Sequence, residues 1–549
     1  MRFTGNVVLC FAICVASAAA AQTQQPKPAD RPPDLSLTAI GRHHHPMATK
    51  NKAAQDYFDQ GLTLIYGFNH EEAARAFQQA AKLDPASPMP LWGVALAVGP
   101  NYNVDVDAER EKTAFDTITS AAKLAENASQ VEKDYVAALA SRFSGDANPD
   151  YKKLARNYAD AMKSLSQKYP DDLDAATLYA DSLMALNPWK LWALDGKANE
   201  NTEEIVAVLE GVLRRDPDHV GANHFYIHAV EASGQPERAL PSARRLDTMV
   251  PQAGHLVHMP SHIYARTGYY ADAAKSNEEA AKVDRVYARK AAQEGSLYDL
   301  MYHSHNEHFL ASAASMVGRY GEAQAAADGM ATRLMPHVKM MPMLDTFIMT
   351  PLWVDARFNK WDAILARPEP FKELRGTHAI WRYTRTLALT ARGEKEKAAA
   401  EREEFAKEAA VFPADANIGE FNRGSVVLVL AGHILDARIA MAKGDKEGSV
   451  AHWREAVAVQ DTLNYNEPPD WYYPVRESLG AALLSAGNRI EAERVFREDL
   501  ARNPRNPRSL FGLTQALKAQ NRAADATWTE SQFKSAWKSA DAQLTLGDL

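Results

Sequence analysis

From residue 51 onward, apolar side chains recur at three- and four-residue spacing with polar residues between them, the periodicity of helices that bury one face. Ala-rich amphipathic segments follow one another to the C-terminal region, and no run of alternating β-branched residues marks a strand. The stretch 57–85, YFDQGLTLIYGFNHEEAARAFQQAAKLDP, reads as two helices joined by a turn at Phe68-Asn69. Residues 479–504, LGAALLSAGNRIEAERVFREDLARNP, repeat the same layout. A chain of 549 residues exceeds one compact core, so such units imply several domains or an array.

The two stretches resemble the tetratricopeptide repeat. Gly61 and Gly480 stand where the paired helices touch; Ala73, Phe77 and Ala80, like Ala492 and Phe496, form the second helix's packing face; Asp84-Pro85 and Pro504 close the units. The pattern continues through Gly234/Ala239/Pro251, Gly268/Tyr270/Ala273, Gly318/Tyr320/Ala323, Gly393/Ala398 and Gly444. The expected fold is therefore all-α, a tetratricopeptide-type α-solenoid: a right-handed superhelix of about a dozen helical hairpins, each burying its apolar face on its neighbours. The expected division is a solenoid over residues 51–365 and another over 366–549. Insertions at 187–201 and around 335–351 are expected as loops on one face. The segments NHFYIHAVE, GHLVHMPSHIYARTGYY, HNEHFL and EPPDWYYPVRESLGAALL further resemble a group of exported bacterial tetratricopeptide-repeat proteins, which implies fold and location more than chemistry.

In that family the first helix of each pair lines the concave groove. Carried onto this chain with Gly234, Gly268 and Gly318 as equivalent positions, the register places His224, His228 and Glu231 in the groove. It does the same for His255, His258, His262 and Arg266, and then for His305 and His308. The preceding unit puts Thr177 and Asp181 on the same surface. Nine of the 17 histidines fall between His219 and His308. Histidine is a frequent metal ligand, and positions i and i+4 of a helix share a face, so His224/His228 and His258/His262 can each chelate one ion. The expected ligand pool is His224, His228, His255, His258, His262, His305 and His308, with Glu231 and Asp181 as orienting or acid/base carboxylates. Arg266 suits an anion better than a metal. Pro260 interrupts HLVHMPSH, which predicts a helix beginning there with His255 and His258 on the preceding loop.

Composition narrows the chemistry. Residues 1–21, with Arg2, an apolar stretch and a small-residue zone, read as a secretory signal peptide, so the product is expected in the periplasm or secreted. Residues 22–50 read as a polar, His-containing tether. Both cysteines, Cys10 and Cys14, fall within the leader, leaving no thiolate for a metal. The net charge of −8 and the lack of a basic tract argue against nucleic acid, and no second apolar stretch was expected to span a membrane. Copper is preferred over zinc or iron because Met335, Met340, Met341 and Met343 surround His337 and Met47 follows His43, His44 and His45. Gap-filling methionines and an accidental histidine run are the plainer alternatives. HExxH, a P-loop, a dinucleotide fingerprint and a nucleophile elbow are all absent. Other groove-side candidates are His70, Trp92, Asn101, Asn103, Trp189 and Trp192, with Asp470, Trp471, Arg476 and Glu477 as a recognition loop or a rigid turn. Two functions remain open: a transition-metal protein, enzymatic or not, and a non-catalytic scaffold whose groove holds a peptide, protein or polymer.

Overall fold

The computed structural model describes residues 41–105 and 107–549; the expected signal peptide and the first part of the expected tether lie outside them. Every named element among the described residues is helical, and strand-like pairing is confined to two isolated bridges, Trp192 with Ala198 and Asn417 with Arg423. Consecutive helices pack in pairs throughout, as in Lys52–Tyr66 with His70–Leu83 and Val475–Ser485 with Arg489–Arg502. The fold is all-α and tetratricopeptide-type.

The repeat grammar has a direct steric basis. A Cβ on Gly61 would lie 2.6 Å from the Phe77 ring and one on Gly93 2.4 Å from it, so two helices close on that ring only because both positions lack a side chain. Phe496 is gripped in the same way, with Cβ positions at Gly480 and Gly512 falling 2.5 and 2.2 Å from its ring. Both phenylalanines are fully buried.

By compactness, a different criterion from repeat boundaries, the described residues form two units: those up to 263 with 279–303, and residues 264–278 with 304–549. In the first unit the helices do more than stack on sequence neighbours. Val220–Val230 packs against both Leu173–Met184 and the distant Lys52–Tyr66. Gly221 permits that return, since a Cβ there would sit 2.5 Å from the Tyr66 ring. This triple junction positions the histidines discussed below.

The second unit runs through the hairpins Ser304–Met316/Tyr320–Leu334, Arg375–Ala391/Lys395–Ala410, Gly424–Ala442/Lys446–Gln460 and Pro507–Ala519/Ala523–Ala536. One of its helices corrects the expectation about apolar stretches. Gly424–Ala442 is 19 residues long and apolar enough to cross a membrane by length and composition alone. It nevertheless carries Asp436, paired with Arg402, and Arg438, set over Trp453, and it lies against its hairpin partner. Those charges and contacts suit a core helix.

Candidate metal centre

Three short helical segments of the first unit supply the central histidines. His224 and His228 lie one turn apart on Val220–Val230. His255 and His258 occupy the one-and-a-half-turn helix Gly254–His258, and His262 follows on Pro260–Arg266. The helix does restart at Pro260, as its missing N–H requires, but His255 and His258 are held in a helical turn rather than a loop. All five are buried, with exposures of 0–4%, and Glu231 is 2% exposed.

The ring nitrogens are sorted by their partners. His224 Nδ1 lies 2.5 Å from the Tyr66 carbonyl, which can only accept, so Nδ1 carries the proton and Nε2 a lone pair. That Nε2 faces His255 Nε2 at 3.2 Å. Glu231 takes Nδ1 of His228 at 3.0 Å on one oxygen and Nδ1 of His262 at 2.7 Å on the other. His228 Nε2 is buried with no hydrogen-bond partner among the described residues, and His262 Nε2 lies 2.8 Å from His258 Nε2. Ser261 Oγ is 3.3 Å from His258 Nδ1. A ligand nitrogen from each of His224, His228 and His255 lies within 4.8 Å of the others.

Burial sets the protonation. It is the largest influence on His224, aided by the neighbouring His228, and holds this imidazole well below its ordinary range. Burial also lowers His228, against the opposing pull of Glu231. For Glu231, burial alone would raise the carboxyl, but the charges and hydrogen bonds of His262 and His228 outweigh it and keep the group ionised. Metal coordination uses the neutral form of such imidazoles beside an ionised carboxylate, and burial already disfavours the charged form of His224 and His228.

Aromatic rings wall the cluster. Phe68, in the left-handed region at φ 56°, packs on His224, His228 and His255 at ring separations of 4.5, 5.8 and 5.2 Å. Tyr302 lies edge-on to His255 at 5.2 Å, and Tyr298 accepts the His255 backbone N–H. From the 187–201 insertion, Trp189 meets His228 at 5.5 Å and Trp192 donates to the Ala229 carbonyl. Neither Tyr66 nor Tyr298 nor Tyr302 was singled out from sequence, and Phe68 only as a turn residue. Their roles depend on the helix return, for which the repeat register carries no signal.

Asp181, Thr177 and His70 have other surroundings. Asp181 is buried near Arg142 and Tyr158, away from the five histidines' ligand groups; burial pushes its carboxyl up to about 6. Thr177 caps back onto the Leu173 carbonyl. His70 is half-buried, both its ring nitrogens are shielded and lack hydrogen-bond partners, and burial takes it down to about 3. His305 and His308 belong to the second unit. There His305 packs on Phe309, while His308 stacks on Tyr472 and meets Phe347 edge-on. The suspected recognition loop of that unit is largely structural. Asp470 accepts backbone N–H groups of Glu420, Phe421 and Asn422, Trp471 is buried, Arg476 binds Asp461 with both guanidinium arms, and Glu477 lies between Arg357 and Arg508. Arg266 stands over Tyr465 in a cavity of about 290 Å³. The methionines near His337 also belong to the second unit, and the Met47 sulfur accepts from Ser87.

No family model and no curated protein matches the chain. Among solved structures it is similar to the human IFIT1 dimer with m7Gppp-AAAA, at 12% identity over 89% of this chain and 91% of that one, with a TM-score of 0.31. It is similar to yeast Tom70 at 12% identity over 87% and 97% of the two chains, TM-score 0.33. A chain of the APC/C hetero-tetramer Cut9-Hcn1 matches at 12% identity over 91% and 95%, TM-score 0.29. Likeness at this level says nothing of ligand or activity.

Proposed function

We propose that this is a transition-metal protein whose buried centre is built from His224, His228, His255, His258 and His262, with Glu231 orienting two of the rings, inside a tetratricopeptide-type scaffold. The observation that carries the reading is the 3.2 Å approach of two Nε2 atoms, one of which bears a lone pair fixed by the Tyr66 carbonyl. Two nitrogens bound to one ion at 2.0–2.1 Å stand roughly 3.3 Å apart at a tetrahedral angle and roughly 2.9 Å apart at a right angle. The observed 3.2 Å and the 2.8 Å between His258 and His262 fall at these two values. Glu231 grips His228 and His262 by Nδ1, which turns each Nε2 outward, the usual carboxylate–histidine–metal arrangement.

The imidazole-rich set suits Cu(II), Zn(II) or Fe(II). Cu(I) would gain from thioethers, and the contact described for Met47 is to Ser87 rather than to a histidine. A scaffold that displays its histidines to a peptide or polymer fits less well, because these rings are sealed from solvent. The leader-like residues 1–21 support placement outside the cytoplasm. Metal analysis of tag-free protein should find near-stoichiometric metal that is lost in a His258→Ala/His262→Ala variant. Unchanged metal content in that variant would sink the assignment.

A further inference from the structure

The histidines ahead of the first helix, which sequence alone left as a possible accident in a tether, are docked. The His45 backbone N–H donates to Asp59, and Gln55 donates to the His45 carbonyl. Their side chains meet Asp174, in the first turn of Leu173–Met184, and His219, the cap of Val220–Val230. His43 Nε2 and His219 Nε2 each lie 3.2 Å from the same Asp174 oxygen, and His45 Nδ1 lies 2.9 Å from the other. One ligand atom each from His43, Asp174 and His219 falls within a 4.8 Å span, and His45, Asp172 and Asp174 make a second such group.

We propose that His43, His45, His219 and Asp174 form a second metal site, separate from the central cluster, for a divalent first-row ion accepting mixed nitrogen and oxygen ligands, such as Zn(II), Fe(II) or Mn(II). His43 makes this arrangement more than a single ion pair. Its side chain is only 7% exposed, and its Nε2 stands 3.2 Å from the same Asp174 oxygen that His219 Nε2 reaches. Two imidazole nitrogens and a carboxylate oxygen at this spacing can serve one ion as ligands. The donors come from three distant stretches of chain, so local helix spacing does not account for their meeting.

An ion also has a path to the site. The cluster opens on a cleft of about 1060 Å³ whose wall carries Asp171, Asp172, Asp216 and Asp218 alongside Arg42, Arg244 and Arg245. Tyr66 donates its phenol to Asp174 at 2.5 Å and so fixes the carboxylate from behind. His219 Nδ1 accepts the Ala222 N–H, which leaves the proton on Nε2. Coordination through Nε2 moves that proton to Nδ1 and gives up the cap hydrogen bond, a loss small beside a metal–ligand bond.

The test uses the tag-free chain, stripped with chelator and titrated with Zn(II) and, separately, Co(II). The expected wild-type stoichiometry exceeds that of a His43→Ala/His45→Ala variant by one ion per chain. These substitutions lie outside every helix, and a His43→Gln/His45→Gln variant of closer size should lose the same ion. A His224→Ala/His255→Ala variant should retain this ion and lose central metal instead, so the two sites fail separately. Equal stoichiometry in wild type and both N-terminal variants would overturn the proposal and leave His43 and His45 as a proton-bridged clasp on Asp174.

Discussion

Each unit buries a carboxylate among basic side chains, and the two do so in opposite ways. In the second unit Glu477, 1% exposed, receives both arms of Arg357 at 2.5 and 2.9 Å, Nε of Arg508 at 2.9 Å and the amide of Asn506 at 2.8 Å. Guanidinium has donors only and stays charged, so this network is closed. In the first unit Glu231 is met by imidazoles, hydrogen-bonded to His228 Nδ1 and paired with His262 Nδ1, and each ring presents a second nitrogen beyond. A carboxylate clasped by arginine completes a core; one clasped by histidine aims lone pairs at whatever lies across the cavity. Burial of charge alone therefore marks no site, and the identity of the cation decides.

That contrast predicts unequal responses to the same change. Glu477→Gln leaves two buried guanidinium groups facing a neutral amide and should cost about 3–5 kcal/mol in denaturant unfolding. Its carboxyl is held below the ordinary range because Arg357 and Arg508 outweigh the effect of burial. This stability is thus present above the unfolded carboxylate range and lost as pH falls through the folded value. Glu231→Gln should act chiefly on metal, weakening affinity about 10–100-fold in chelator competition. A Glu231→Gln protein with wild-type affinity would erase the distinction between the two carboxylates.

The smallest effect concerns a histidine with neither type of partner. Burial lowers His308 from 6.5 to about 4. Between those values the unfolded chain binds a proton that the native state does not, so its contribution is full above pH 6.5, falls through that window and is flat below it. His308→Leu should remove about one proton from the pH dependence of unfolding there. An unchanged slope would place the titration elsewhere.

The sequence made the helical array legible because its markers are steric and local: Gly61 and Gly480 admit rings that no larger residue would, and Pro85 and Pro504 close their units. The register points to all seven histidines of the expected pool, since helix periodicity fixes which positions share a face, and five of them make up the proposed centre. Asp181 shared that register, yet its electrostatic neighbours are Arg142 and Tyr158. Side-chain direction alone does not decide which helices meet. The return of Val220–Val230 onto Lys52–Tyr66 brings in Tyr66 and Phe68, and docking of His43 and His45 brings in Asp174. Such contacts between residues far apart in the chain leave no periodic trace.

X-ray absorption at the edge of whichever metal copurifies with tag-free protein tests the central claim most directly. The predicted result is a first shell at roughly 2.0–2.1 Å with the multiple scattering of several imidazoles, diminished by His224→Ala/His255→Ala. A shell of water or carboxylate oxygen without imidazole scattering, or no bound metal after anaerobic titration with Cu(I) and Zn(II), would contradict it.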